Sequence, residues 1–163
     1  MNRPANYQVA TLRDHVGHDF GCSTSRLLDQ PRIDEFAECT GDDQWIHVDV
    51  ERARTQMPGG RTIAHGLLLL GLLPAAQYEL GVYPDDAANM LNYGFDKVRF
   101  LAPVPAGTAV DSAITSRLNR LSSMPGRPWV TPSHIAGTPP ATCATAPCRR
   151  ASSRITAGNV SKG

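Results

Sequence analysis

The chain has 163 residues, 41% of them apolar, and a formal net charge of +1. That length is one domain with enough chain for a core, and the apolar content lies slightly below the usual globular range. The longest apolar run, residues 67–73, is too short to span a bilayer and is followed by Pro74 and Gln77, and the opening Met1-Asn2-Arg3-Pro4 leads into no apolar signal stretch. The expectation is a soluble cytoplasmic protein.

Taken in order, residues 7–16 are mixed and suit a strand or a short helix, and residues 19–28 alternate enough for an edge strand. Asp29 is placed to cap a helix with Pro31 in its first turn. Ile33, Phe36 and Ala37 fall on one face of it, and Gly41 ends it. The stretch Thr40-Gly41-Asp42-Asp43-Gln44-Trp45-Ile46-His47 then falls on a loop. Asp49 is a second cap, for a short helix over 50–55, and Met57-Pro58-Gly59-Gly60 reads as a turn. Residues 65–80 form the central helix, apolar nearly all round and so buried on most sides, with a kink expected at Pro74. A loop over 82–89 leads to a strand over 90–101. Pro103 and Pro105 break it, Ala106-Gly107 turns, and a second strand runs from 108 to 115. Strand, long helix and antiparallel strands make an α+β pattern.

The remainder differs in kind. Residues 1–111 hold all fifteen acidic and nine of the basic residues, a net −6, whereas 112–163 hold seven basic residues and no acid, a net +7. After about Leu121 no period of 2 or 3.6 persists, and Ala, Pro, Ser, Thr and Arg dominate. Three readings compete: a basic extension that touches nucleic acid or an anionic surface, a flexible C-terminus without a partner, or sequence translated out of frame. Of the four cysteines, Cys143 and Cys148 lack partners at zinc-ligand spacing, and Cys22 and Cys39 read as small, partly buried hydrophobes.

Chemistry concentrates at two places. Asp42 and His47 put a carboxylate and an imidazole five residues apart, and Ile63-Ala64-His65-Gly66 opens the central helix. An acid, a base and a glycine at a helix start can hold a water, move protons and stabilise an oxyanion, which is an enzyme's equipment. Each part alone has a plainer reading. Asp42 after Gly41 suits a turn, and His47 suits a half-buried structural histidine.

These motifs resemble a known family. Asp42-Asp43-Gln44-Trp45-Ile46-His47 is similar to the D-x-[N/Q]-x-[LIV]-H signature of the MaoC-like, or R-specific enoyl-CoA hydratase, family. Ile63-Ala64-His65-Gly66-Leu67 resembles the start of that family's central helix, and the run from Asn92 to Val104 resembles the strand after it. The nodulation protein N branch shares these features. The resemblance covers residues 10–117, and three motifs in order make it specific.

The resemblance implies a hot-dog fold: an antiparallel sheet wrapped round one long helix, as a homodimer. It implies hydration of a trans-2-enoyl thioester of coenzyme A or acyl-carrier protein, or the reverse dehydration. It implies no metal and no redox cofactor; coenzyme A enters only as part of the substrate. No nucleic-acid or membrane partner is expected. Catalysis would fall to His47 as the base for water, Asp42 as the proton donor, protonated at that step, and the Gly66 N–H as oxyanion donor. Gln44, His65 and Asn92 are candidates for substrate contact. An apolar acyl tunnel around Asp42 is expected, since a plain surface loop would not keep a carboxyl protonated. The family continues past Gly107 with three or so strands that complete the sheet, whereas here the strand pattern begins at Thr108 and dissolves by about Leu121, which favours the out-of-frame reading for 118–163 and makes 1–117 the domain. Other readings on the same fold are a non-catalytic acyl-binding subunit and a thioesterase.

Overall fold

The computed structural model describes residues 2–92, 95 and 98–116, with the backbone of 135–137. After a 3-10 segment, Val9–His15, come strands β1 (Asp19–Cys22) and β2 (Arg26–Leu28). Helices α1 (Gln30–Thr40), α2 (Trp45–Val48), α3 (Val50–Gln56), α4 (Gly66–Gly71) and α5 (Leu73–Glu79) follow. Strands β3 (Thr108–Val110), β4 (Ser112–Thr115) and β5 (Ile135–Gly137) close the order.

The three expected helix caps lie where the residue types place them. The Asp29 carboxylate accepts from the Arg32 N–H at 3.3 Å, with Pro31 in the first turn of α1. Gly41 ends α1 in the left-handed conformation, φ 75°, its N–H on the Ala37 carbonyl. Asp49 caps α3 through the Arg52 N–H at 2.9 Å.

The strands form two antiparallel sheets, β1-β4-β5 and β2-β3. The single strand expected over 19–28 is therefore two, one in each sheet. Gly21, at φ 88°, sits at the bulge where the β1–β4 register shifts between Asp19 and Gly21. The strand expected over 108–115 likewise divides at Asp111 between β3 and β4. β4 is central, pairing Ile114 with Ile135 on its other side.

The central helix is interrupted. Pro74 has no N–H for the Leu70 carbonyl, and the chain divides into α4 and α5 with Leu72 between them. Each half serves its own core. Leu68, Leu69 and Leu72 pack with Leu28, Ile33, Ala64 and Val104, beside α1 and β2-β3. Ala76 and Leu80 pack with Tyr7, Phe20, Val82 and Ile114, on the β1-β4 side.

The helix is not buried on most sides, as its composition suggests. Leu67 is 62% exposed and Tyr78 66%, because the described strands cover one side of it. Nor is there a strand over 90–101 among the described residues there; Leu91, Phe95, Phe100 and Leu101 are exposed coil. Residues 93, 94, 96 and 97 of that stretch lie outside the described residues. Cys22 is half-buried, but Cys39 is exposed, lying two residues from buried Ala37 on the opposite side of α1. Cys143 and Cys148 lie outside the described residues.

α5 is tied to the β1–β2 connection by Glu79, which accepts from the Thr24 N–H at 2.5 Å and from Arg26 Nη2 at 2.8 Å. The Thr24 backbone bond, with help from Arg26, holds the Glu79 carboxyl below its ordinary range. A lowered folded-state value means stability present at neutral pH and lost as pH falls through that value. Urea unfolding across pH should therefore show Glu79→Gln less stable than the parent at pH 7, with the difference vanishing in acid. A pH-independent difference would contradict this role.

Candidate active site

The loop after α1 carries Asp42, α2 carries His47, and the residue before α4 is His65. One ligand atom from each of these three side chains lies within 4.8 Å of the others. The sequence separation of 23 residues between Asp42 and His65 is closed by the α1–α2 turn and by residues 62–64, which run alongside both.

Residues 62–64 are held on two sides. The Ile63 N–H donates to the Ile46 carbonyl at 3.0 Å, and Ala64 N–H to the Val104 carbonyl at 2.8 Å. Ala106 N–H returns to the Thr62 carbonyl at 2.8 Å, and Ile63 bridges Pro105. His47 Nδ1 donates to the Ile63 carbonyl at 2.7 Å. A carbonyl only accepts, so the neutral ring carries its proton on Nδ1 and its lone pair on Nε2. His65 does the reverse: Nε2–H donates to the Asp42 carbonyl at 2.9 Å, leaving Nδ1 as the acceptor. The two imidazoles stack with centroids 3.8 Å apart, and Phe36 lies 4.9 Å from His65 on the α1 side. Both histidines are buried.

His47 therefore lies on a short helix and not on the loop expected for it; Asp42 and Gln44 do precede that helix. His65 occupies the N-cap position of α4, but its side chain makes no capping bond and turns to Asp42 instead. Asp42 is exposed, so the described residues provide no closed apolar tunnel around its carboxylate. Gln44 is exposed and makes no side-chain cap, and Asn92 is exposed coil; no hydrogen bond among the described residues joins either to the histidines. Trp45 packs, with the Arg52 guanidinium 4.0 Å above its ring.

Gly66 begins α4, where early N–H groups lack helical partners. A Cβ there would lie 2.8 Å from the Phe100 ring, so that ring rests directly against the glycine. Phe100 itself is 52% exposed.

Two residues outside the motifs brace the site. Gln30 Nε2 donates to the His47 carbonyl at 2.8 Å, and its Oε1 accepts from the Thr62 hydroxyl at 2.5 Å. Thr62 is buried. No sequence signal marks this pair, whose partners lie 17 and 32 residues away from Gln30.

The family model described as a MaoC like domain matches residues 12–124. This chain belongs to that family, and its fold is the α+β, antiparallel hot-dog type. Among curated proteins it is similar to 3-hydroxyacyl-thioester dehydratase Z of Mycobacterium tuberculosis, 46% identical over 103 residues, which cover 63% of this chain and 66% of that protein. It is also similar to Nodulation protein N of Rhizobium leguminosarum bv. viciae, 42% identical over 102 residues, 63% of each. The chain thus spans just under two thirds of these relatives' length. Among solved structures, the monoamine oxidase regulatory protein from Archaeoglobus fulgius superposes with a TM-score of 0.54 at 27% identity, over 63% of this chain and 67% of that one.

Thr62→Val keeps the shape but removes the hydroxyl, leaving Gln30 Oε1 without its donor. Urea unfolding should show a loss of about 0.5–1.5 kcal/mol, the usual net contribution of one hydrogen bond, since Gln30 is only half-buried. An unchanged midpoint would remove Gln30 and Thr62 from the support of His47.

Proposed function

We propose that this chain adds water to a trans-2-enoyl thioester, or removes it from the (R)-3-hydroxyacyl thioester. The observation that carries the reading is the His47 imidazole, held through Nδ1 by the Ile63 carbonyl so that Nε2 is left as a base, in a side chain that clusters with Asp42. In hydration, Nε2 takes a proton from the water that attacks C3. Asp42, in its acid form, delivers a proton to C2. The Gly66 N–H at the start of α4 receives the charge that builds on the thioester oxygen as the enolate forms. No step asks for a metal or a redox cofactor. The 46% likeness to a protein named 3-hydroxyacyl-thioester dehydratase Z supports the same bond change.

Gln44, His65 and Asn92 stand as proposed substrate contacts, His65 with the added task of holding the Asp42 loop through its carbonyl. The acyl carrier is coenzyme A or acyl-carrier protein. The narrower reading, an acyl group bound for a nodulation-type signalling lipid, has the likeness to Nodulation protein N in its favour. We place the protein in the cytoplasm as a homodimer; the exposed Leu91, Phe95, Phe100 and Leu101 supply apolar surface for pairing. No described helix is long and apolar enough to cross a membrane.

Residues 118–163 are proposed to be out-of-frame sequence appended to a 1–117 domain. The backbone pairing of Ile135–Gly137 with β4 is compatible with that, since a ladder uses groups that every non-proline residue carries. A strand pattern restored in another frame of the coding DNA would establish it.

Purified protein should deplete crotonyl-CoA absorbance and give the (R)-alcohol. Asp42→Asn and His47→Gln should each lower kcat by roughly 10²–10⁴-fold with the circular dichroism spectrum kept. Full activity in either variant overturns the assignment. Acyl-CoA binding without turnover would favour the non-catalytic subunit, and release of free thiol would favour the thioesterase.

A further inference from the structure

Three parts of the site meet at His65. Its carbonyl accepts from the Leu68 N–H at 3.1 Å, which ties its backbone to the first turn of α4. A trans peptide sets N–H opposite C=O, so that bond aims the Gly66 N–H out of the N-terminal end of the helix. The His65 Nε2–H donates to the Asp42 carbonyl at 2.9 Å. Its ring stacks on His47, with centroids 3.8 Å apart and planes inclined by 27°. One residue thus holds the backbone of the acid, lies against the base and precedes the oxyanion donor.

The ring is not built to handle a proton. Its Nδ1 is buried with no hydrogen-bond partner among the described residues, so a proton there would be a buried donor without an acceptor. The residue is 2% exposed, and the Phe36 ring of α1 lies 4.9 Å from it. What remains for it is geometry. His47 is pinned through Nδ1 to the Ile63 carbonyl, and a single hydrogen bond leaves a ring free to tilt about that contact; a stacked face opposes the tilt. Asp42 is exposed, and its own N–H reaches back to the Thr40 hydroxyl, at the end of α1, at 3.4 Å. The bond from His65 is what ties residue 42 to the start of α4.

We infer that His65 is a positioning residue of the hydration site: its ring face fixes the aim of His47 Nε2, and its Nε2–H fixes the loop that carries the Asp42 carboxyl. Base and acid are spaced from one side chain, whose backbone also aims the Gly66 N–H. This rests on the hydratase reading and is separate from the contact with substrate proposed for His65. Proton transfer tolerates little misplacement, about 1 Å costing as much as 10²-fold in rate.

Double-mutant cycles on crotonyl-CoA hydration by the full chain test it. His65→Phe keeps a ring against His47 and removes the donor to Asp42. It should lower kcat by up to roughly 10²-fold with KM changed by less than about twofold. On an Asp42→Asn background the same change should cost less than about twofold, because the carboxyl it positions is gone. His65→Gln keeps an amide donor and removes the ring; it should lower kcat in the parent and cost little on a His47→Gln background. Circular dichroism reports folding, and either variant carries the test if the other does not fold. Equal losses in the parent and in these backgrounds would overturn the positioning and keep the reaction, as would full activity of the folded variants. A parent without hydratase activity would overturn the reaction. The positioning is then read from His47 by ¹H–¹⁵N spectra: a single Nδ1–H tautomer in the parent should become mixed in His65→Gln, and an unchanged tautomer would overturn the positioning too.

Discussion

The hydrogen bond from His47 Nδ1 to the Ile63 carbonyl, 2.7 Å long, is the contact on which the rest of the site depends. It decides which nitrogen of His47 is free, and it joins α2 to residues 62–64. Those residues in turn carry the chain into α4 and so place His65 and Gly66. A carbonyl can orient a ring only if it is itself immobile. Ile63 and its neighbours are pinned through Ile46 on one side and through Val104 and Ala106 on the other. The same short segment thus serves as a wall of the site and as the bridge between the helical half and the strands.

The stability behind this arrangement comes from two cores and not one. α4 packs with β2-β3 and α1; α5 packs with the β1-β4 sheet and the N-terminal segment. Pro74 costs the central helix a hydrogen bond, and the division between α4 and α5 falls where the two cores meet. The site lies on the α4 side. The Glu79 tie joins α5 to Arg26 at the start of β2, whose Leu28 packs in the α4-side core.

Local chemistry was legible in the sequence where a single residue decides the outcome within four positions. Asp29, Gly41 and Asp49 act on backbone groups three or four residues away, and all three cap as their types require. The pairing of Asp42 with His47 and His65 was legible as a motif, because family resemblance carries tertiary information that periodicity lacks. Partners many residues apart were not legible. Gln30 and Thr62 look like any polar residues until the fold sets them 2.5 Å apart. The alternation over 90–101 signals a strand, but alternation states only which face is apolar. Whether a neighbour exists to accept the ladder is decided elsewhere in the chain.

Family membership places this chain among the MaoC-like hot-dog proteins, and the geometry gives each histidine a different part. His47 presents Nε2, and His65 presents Nδ1 while holding the Asp42 loop. This opposition of tautomers is the central claim, and long-range ¹H–¹⁵N correlation spectra of histidine-labelled protein, at a pH where imidazoles are neutral, read it directly. The account predicts the Nδ1–H tautomer for His47 and the Nε2–H tautomer for His65. An Nε2–H tautomer at His47 would contradict it, since the nitrogen proposed to take the proton from water would then carry a proton and hold no lone pair.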